Sequence, residues 1–206
     1  MADRPFLLGL TGSLGMGKSA TAKMFARLGV PVYDADAAVH ALYQPGGAAV
    51  AAVAAAFPDC VRDGRVDRTA LGARVMADEA AFARLEAIVH PLAARARQAF
   101  VDAVRAQGAP LAVFDVPLLF ESGWDRAMDG VLVVSAPEEV QRARALGREG
   151  MTEERFARIL TRQMPDAEKR ARADFVVDTG RGLDDAFAQV RRIVEELRRR
   201  REANHA

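Results

Sequence analysis

The sequence predicts an α/β protein built on a five-stranded parallel sheet, and three observations carry that prediction. Five short runs rich in Val, Leu and Phe recur along the chain. A helical pattern separates each run from the next, which calls for crossover connections and therefore parallel strands. A Gly-rich segment, "GSLGMGKS" (12–19), stands directly between the first run and the first helix.

Taken in order, "PFLLGL" (5–10) reads as a buried strand leading into that loop. "SATAKMFARLG" (19–29) reads as a helix with Ala22, Phe25 and Ala26 on its apolar face and Gly29 as its stop. "VPVYDAD" (30–36) is a second strand ending in two acids. The interval 37–110 is the longest between strands. It holds an Ala-rich run, "AAVAAVAAAF" (48–57), in which Val50, Val53 and Phe57 recur at helical spacing, and a long helical pattern from Asp78 to Gln107. "LAVFDVPLLF" (111–120) is a third strand, ended near Val116 by Pro117. "GVLVVSAP" (130–137) and "ADFVVDTG" (173–180) are the fourth and fifth. The terminal "RRRRE" (198–202) reads as a solvated helix end, where cations suit the macrodipole.

Composition narrows the function classes. Of 206 residues half are hydrophobic, enough for a sizeable core. Lys+Arg and Asp+Glu number 29 and 28, a net charge of +1, so there is no basic excess of the kind a general nucleic-acid binder carries. One cysteine, Cys60, allows no intramolecular disulfide and fits a reducing compartment. No apolar stretch approaches the roughly 18 residues of a membrane span, and the N-terminal run is too short for a signal sequence. A soluble, cytoplasmic protein without a membrane or nucleic-acid partner is expected.

Gly12, Gly17, Lys18 and Ser19 satisfy the spacing G-x-x-x-x-G-K-[ST]. Glycines let the backbone curl so that successive N–H groups point at phosphate oxygens, and a helix start adds its positive dipole end. Lys18 is placed to reach the β- and γ-phosphates and the Ser19 hydroxyl to ligate Mg²⁺. Residues 12–20 (Gly12, Ser13, Leu14, Gly15, Met16, Gly17, Lys18, Ser19, Ala20) are thus the expected ATP site. The motif establishes nucleotide binding without naming an acceptor.

Other residues are ambiguous by themselves. Asp34 and Asp36 end the second strand, where a carboxylate serves equally as proton acceptor or helix N-cap. Asp115 ends the third strand as a Mg²⁺-associated acid or as a turn residue before Pro117. Glu121 suits a salt bridge or a helix start. Arg144 and Arg148 are four apart and are expected to share a helix face, either closing over phosphate or lying on a solvated surface. His90 in "IVHPL", like His40 and His205, belongs to no evident triad, and no zinc set is visible.

As a set, these residues resemble one family, dephospho-CoA kinase, from about residue 6 to residue 197. The resemblance rests on "LTGSLGMGKS", "LGVPVYDAD", "DRTAL" (67–71), "LEAIVHPL" (85–92), "VFDVPLLFE" (113–121) and the run 140–180. It implies a P-loop kinase-type three-layer fold: a core of residues 1–36, 108–137 and 164–206, a helical acceptor-binding insertion (37–107) and a helical lid (138–163). It implies phosphorylation of the ribose 3′-hydroxyl of dephospho-CoA by ATP with Mg²⁺, in a monomer or small homo-oligomer. Carried over, Asp36 is the general base, with Lys18 and Arg144 as its catalytic companions. Arg144 and Arg148 contact ATP phosphates, and Asp115 organises Mg²⁺, indirectly, or the phosphate loop. His90, Pro91, Leu118, Leu119 and Glu121 contribute with Asp36 to the acceptor pocket. Two departures are minor: Ala20 follows Ser19 where many members have Thr, and Thr179 occupies a spot where many members have Asn near the adenine. Gly147 is expected inside the lid helix, at a cost of about 1 kcal/mol in propensity. Another small-metabolite or nucleoside monophosphate kinase, or a nucleotide-dependent switch, are the alternatives; the N-K-x-D segment usual in guanine switches is absent.

Overall fold

In the computed structural model, which describes residues 4–203, the strands are β1 (Phe6–Thr11), β2 (Val32–Asp34), β3 (Val61–Arg62), β4 (Arg65–Val66), β5 (Leu111–Asp115), β6 (Gly130–Ser135) and β7 (Phe175–Asp178). The helices are α1 (Lys18–Arg27), α2 (Ala35–Leu42), α3 (Val50–Ala56), α4 (Arg68–Met76), α5 (Glu79–Ala106), α6 (Glu138–Leu146), α7 (Glu153–Leu160), α8 (Asp166–Ala171) and α9 (Leu183–Ala203). The chain divides into two units, one of the residues up to Tyr33 and from Val104, the other Asp34–Ala103.

The first unit is an α/β layer structure on a five-stranded parallel sheet of order β2-β5-β1-β6-β7. Leu8, Leu10, Leu132, Val134 and Val177 fill one face, against Phe25 of α1 and Val190, Val194 and Leu197 of α9. The three central strands β1, β5 and β6 are buried on both faces, which is why they read as continuous apolar runs rather than alternating ones. On the other face Leu119 is fully buried against Gly9, where an added Cβ would stand 2.8 Å from its Cδ2. Strand ends are trimmed relative to expectation. β2 stops at Asp34 because that residue already caps α2, while β5 and β6 stop ahead of Pro117 and Pro137. On α1 the buried face is Thr21, Ala22, Met24 and Phe25; Ala26, expected there, is exposed.

The second unit has its own core of Leu42, Tyr43, Val53, Phe57, Val66 and Leu71. Its α5 begins where the Asp78 carboxylate accepts from the Ala81 N–H at 3.1 Å and runs 28 residues with Pro91 inside it. The β3–β4 hairpin, with Val61 opposite Val66, escapes the periodicity reading because each strand is two residues long. Its turn is nonetheless signalled: Asp63 and Gly64 both take positive φ, 49 and 70°, as a two-residue hairpin turn demands.

Candidate active site

Parallel register places the acid beside the phosphate loop. Leu10 of β1 lies beside Asp115 of β5, so the acid that closes β5 stands next to the loop that leaves β1. Lys18, the first residue of α1, forms an ion pair with Asp115, whose side chain is almost fully buried. Asp115 therefore orients the lysine of the loop. Gly17 precedes the helix with φ 94°, a conformation that glycine adopts without strain. No side chain caps α1 and its first turn holds no acid, which leaves its N–H groups and dipole available to an anion. Ser19 is exposed, and its hydroxyl has no partner among the described residues.

Arg144 reaches this loop through Thr179. Its Nη1 donates to Thr179 Oγ1 at 3.0 Å and its Nη2 to the Thr179 carbonyl at 2.8 Å. The Thr179 hydroxyl in turn donates to the Met16 carbonyl at 2.8 Å. Thr179 is thus the bracket between Arg144 and the loop. Arg148 does not share a helix face with Arg144. α6 ends at Leu146 with Gly147 as its C-cap, and a turn leads to α7, so the run 140–163 is two helices. Gly147 consequently carries no interior-helix penalty.

Of the two acids after β2, structure separates the roles. Asp34 is the N-cap of α2, accepting from the Ala37 N–H at 2.8 Å. Asp36 lies in the first turn, exposed, with no hydrogen bond or ion pair among the described residues. One turn along α2, His40 Nδ1 lies 3.2 Å from Arg68 Nη1, and its Nε2 lies 2.8 Å from the Gln44 amide. Because Arg68 donates, Nδ1 is the accepting nitrogen. Arg68 pairs with no carboxylate among the described residues. Sequence reading missed Arg68; the "DRTAL" segment contains it, but nothing local tells which side chain it meets 28 residues earlier. His90 and Pro91 are exposed on α5, and His205 lies outside the described residues.

The "PLLFE" segment divides. Leu118 is 42% exposed and open to a ligand, whereas Leu119, expected at the acceptor, is a core residue. Glu121 is committed within its own unit: its Oε1 accepts from the Met164 N–H at 2.8 Å and lies 2.9 Å from Lys169 Nζ. Lys169 is fully buried, and beyond this ion pair its ammonium has no hydrogen-bond acceptor among the described residues. Burial pushes the Glu121 carboxyl upward, but Lys169 and the Met164 amide outweigh it and hold the group below the ordinary glutamate range. A carboxyl depressed by folding contributes stability that is complete above its unfolded pKa and is lost as pH falls through the folded one. Stability carried by Glu121 should therefore fade only below the normal glutamate range, and Glu121→Gln should flatten the acid limb of a urea-midpoint profile. Glu121→Leu strands a buried ammonium and should cost about 3–5 kcal/mol. Adding Lys169→Met should restore most of it, as urea unfolding of the pair would read.

A family profile described as dephospho-CoA kinase matches residues 6–185. The chain belongs to the dephospho-CoA kinase family. Its relatives in that family include the dephospho-CoA kinases of Mesorhizobium japonicum and Novosphingobium aromaticivorans. Each is 57% identical over 195 residues, 95% of this chain, and the match spans 98% and 96% of the two relatives. A crystal structure of a Thermus thermophilus protein superposes with TM-score 0.80 at 33% identity, covering 94% of this chain and 98% of its own. Dephospho-CoA kinase from Campylobacter jejuni shares the fold, with TM-score 0.66 at 19% identity over 95% of this chain and 98% of its own. The family catalyses the final step of coenzyme A biosynthesis. Among the described residues no helix is long and apolar enough to cross a membrane.

Proposed function

We propose that this chain transfers the γ-phosphoryl group of ATP to the ribose 3′-hydroxyl of dephospho-CoA, giving CoA and ADP. The observation that carries the acceptor half is Asp36: a carboxylate without a partner among the described residues, at the start of α2, two positions after the residue that does the capping. As the 3′-oxygen bonds to the γ-phosphorus, its proton passes to Asp36 and the bond to the β-phosphate oxygen breaks, releasing ADP. Lys18 and the N–H groups of the loop bind the phosphates, and Arg144 offsets the charge that spreads over the transferring group. The segment 138–163 closes over the reacting groups and excludes water, the competing acceptor.

The loop suits Mg²⁺. Among the described residues no group of three His, Cys, Asp or Glu could hold a metal. Mg²⁺ instead binds mainly to nucleotide phosphates and water with one or two protein oxygens, and the unpartnered Ser19 hydroxyl is such an oxygen. When bound, the ion neutralises charge on the phosphates. Asp115 supports the arrangement through Lys18.

Arg68 adds a recognition element. A guanidinium without a carboxylate, held by His40 one helical turn from Asp36, suits the diphosphate of an acceptor whose hydroxyl lies at Asp36. Arg68→Gln should raise KM for dephospho-CoA about 10- to 100-fold and leave KM for ATP unchanged in steady-state assays. The activity itself is tested by ADP release from ATP and Mg²⁺ with dephospho-CoA, AMP or adenosine. Stimulation by dephospho-CoA alone, with CoA formed in equal amount, is expected; stimulation only by another acceptor would overturn the assignment.

A further inference from the structure

Both ends of the segment 138–163 meet a single residue of the phosphate loop. Gln141, on the first turn of α6 and almost fully buried, donates from Nε2 to the Leu14 carbonyl at 2.8 Å. Gln163, at the other end, accepts from the Leu14 N–H at Oε1, 3.2 Å away. A carbonyl only accepts and a backbone amide only donates, so the orientation of each glutamine amide is dictated.

The two bonds control two peptide planes. Within one planar trans peptide the C=O and N–H point in opposite directions. Drawing the Leu14 carbonyl toward Gln141 therefore aims the Gly15 N–H the other way. Drawing the Leu14 N–H toward Gln163 likewise turns the Ser13 carbonyl, which accepts from the Met16 N–H at 3.1 Å inside the loop. Packing reinforces the arrangement: the Gln141 carbonyl oxygen lies 2.6 Å from where a Cβ on Gly15 would stand, and Gly15 has φ 83°. The Ala136 N–H also donates to Met16 Sδ at 3.1 Å.

The exit end is fixed twice in succession, because Met164, next to Gln163, is held by Glu121. Between the fixed ends lie the turn 147–152 and α7. Phe156 and Leu160 of α7 border a cavity of about 610 Å³ shared with Gln141 and Arg170.

We propose that Gln141 and Gln163 are positioning residues that couple closure of the segment 138–163 to the phosphate loop through the two peptide groups of Leu14. This rests on the kinase reading above. A shift of either end rotates a plane that aims a phosphate-binding N–H, and phosphate seated in the loop resists that rotation and so favours closure.

The test is a kinetic comparison of the full chain with Gln163→Leu, Gln163→Glu and Gln141→Met, assayed with ATP, Mg²⁺ and dephospho-CoA. Gln163→Leu should raise KM for ATP about five- to tenfold, leave KM for the acceptor unchanged, and release several ADP per CoA because water is no longer excluded on time. Gln163→Glu, which keeps an acceptor for the Leu14 amide, should retain one ADP per CoA, and Gln141→Met should behave like Gln163→Leu. A purely structural role would lower the melting temperature without changing the ADP-to-CoA ratio. A ratio of one and an unchanged KM for ATP in both Gln163→Leu and Gln141→Met would overturn the coupling. If the wild-type chain formed no CoA, the kinase reading would fall instead. Calorimetric ATP titration would then decide: five- to tenfold weaker binding in Gln163→Leu supports the loop-positioning role, and equal binding overturns it.

Discussion

Asp36→Asn is expected to lower turnover roughly 10²–10⁴-fold while ATP affinity stays within about twofold of wild type. The substitution is nearly isosteric and removes only the capacity to take a proton. Asp36 has no partner to lose among the described residues, so the folded state should keep its melting temperature. Asp34 supplies the control. It caps α2, and Asn caps a helix about as well as Asp, so Asp34→Asn should leave turnover within a few-fold. A large loss from Asp34→Asn with a small one from Asp36→Asn, measured as kcat with saturating substrates, would exchange their roles.

Lys18→Met should have the second largest effect, because it removes two things at once. The phosphates lose a charge that follows the transferring group, worth about 10²–10³-fold in turnover. Asp115, almost fully buried, loses its cation, which should cost up to about 3–5 kcal/mol in urea unfolding. Asp115→Asn separates the two contributions. It leaves the lysine charged, so it should cost less in turnover than Lys18→Met, and the difference isolates what the ammonium does for the phosphates. An ammonium has three donors and can serve Asp115 and phosphate oxygens together. Equal losses in both variants would mean that Lys18 acts only through its ion pair.

Much of this molecule is determined by sequence alone, where the determining physics is local. The parallel sheet follows from apolar runs separated by helical patterns, and each of the five strands lies within two or three residues of its expected limits. The phosphate loop follows from Gly12, Gly17, Lys18 and Ser19, whose spacing carries its own backbone geometry. The family is legible because "DAD", "HP" and "PLLFE" stand in order along the chain.

The tertiary structure decided which side chain meets which. Asp34 and Asp36 are equivalent as letters, and only the start of α2 makes one a cap and leaves the other without a partner among the described residues. Arg144 and Arg148 are helix neighbours by spacing, yet α6 stops between them. Leu119 and Glu121 sit in one motif with Leu118; one fills the space over Gly9 and the other neutralises a buried lysine 48 positions along the chain. Leu14, whose side chain carries no chemistry, is held at both backbone groups by glutamines 127 and 149 positions away. Periodicity reports the face a residue shares with its sequence neighbours. Hydrogen bonds and ion pairs between distant segments depend on crossovers that bring those segments together, and no local pattern encodes them.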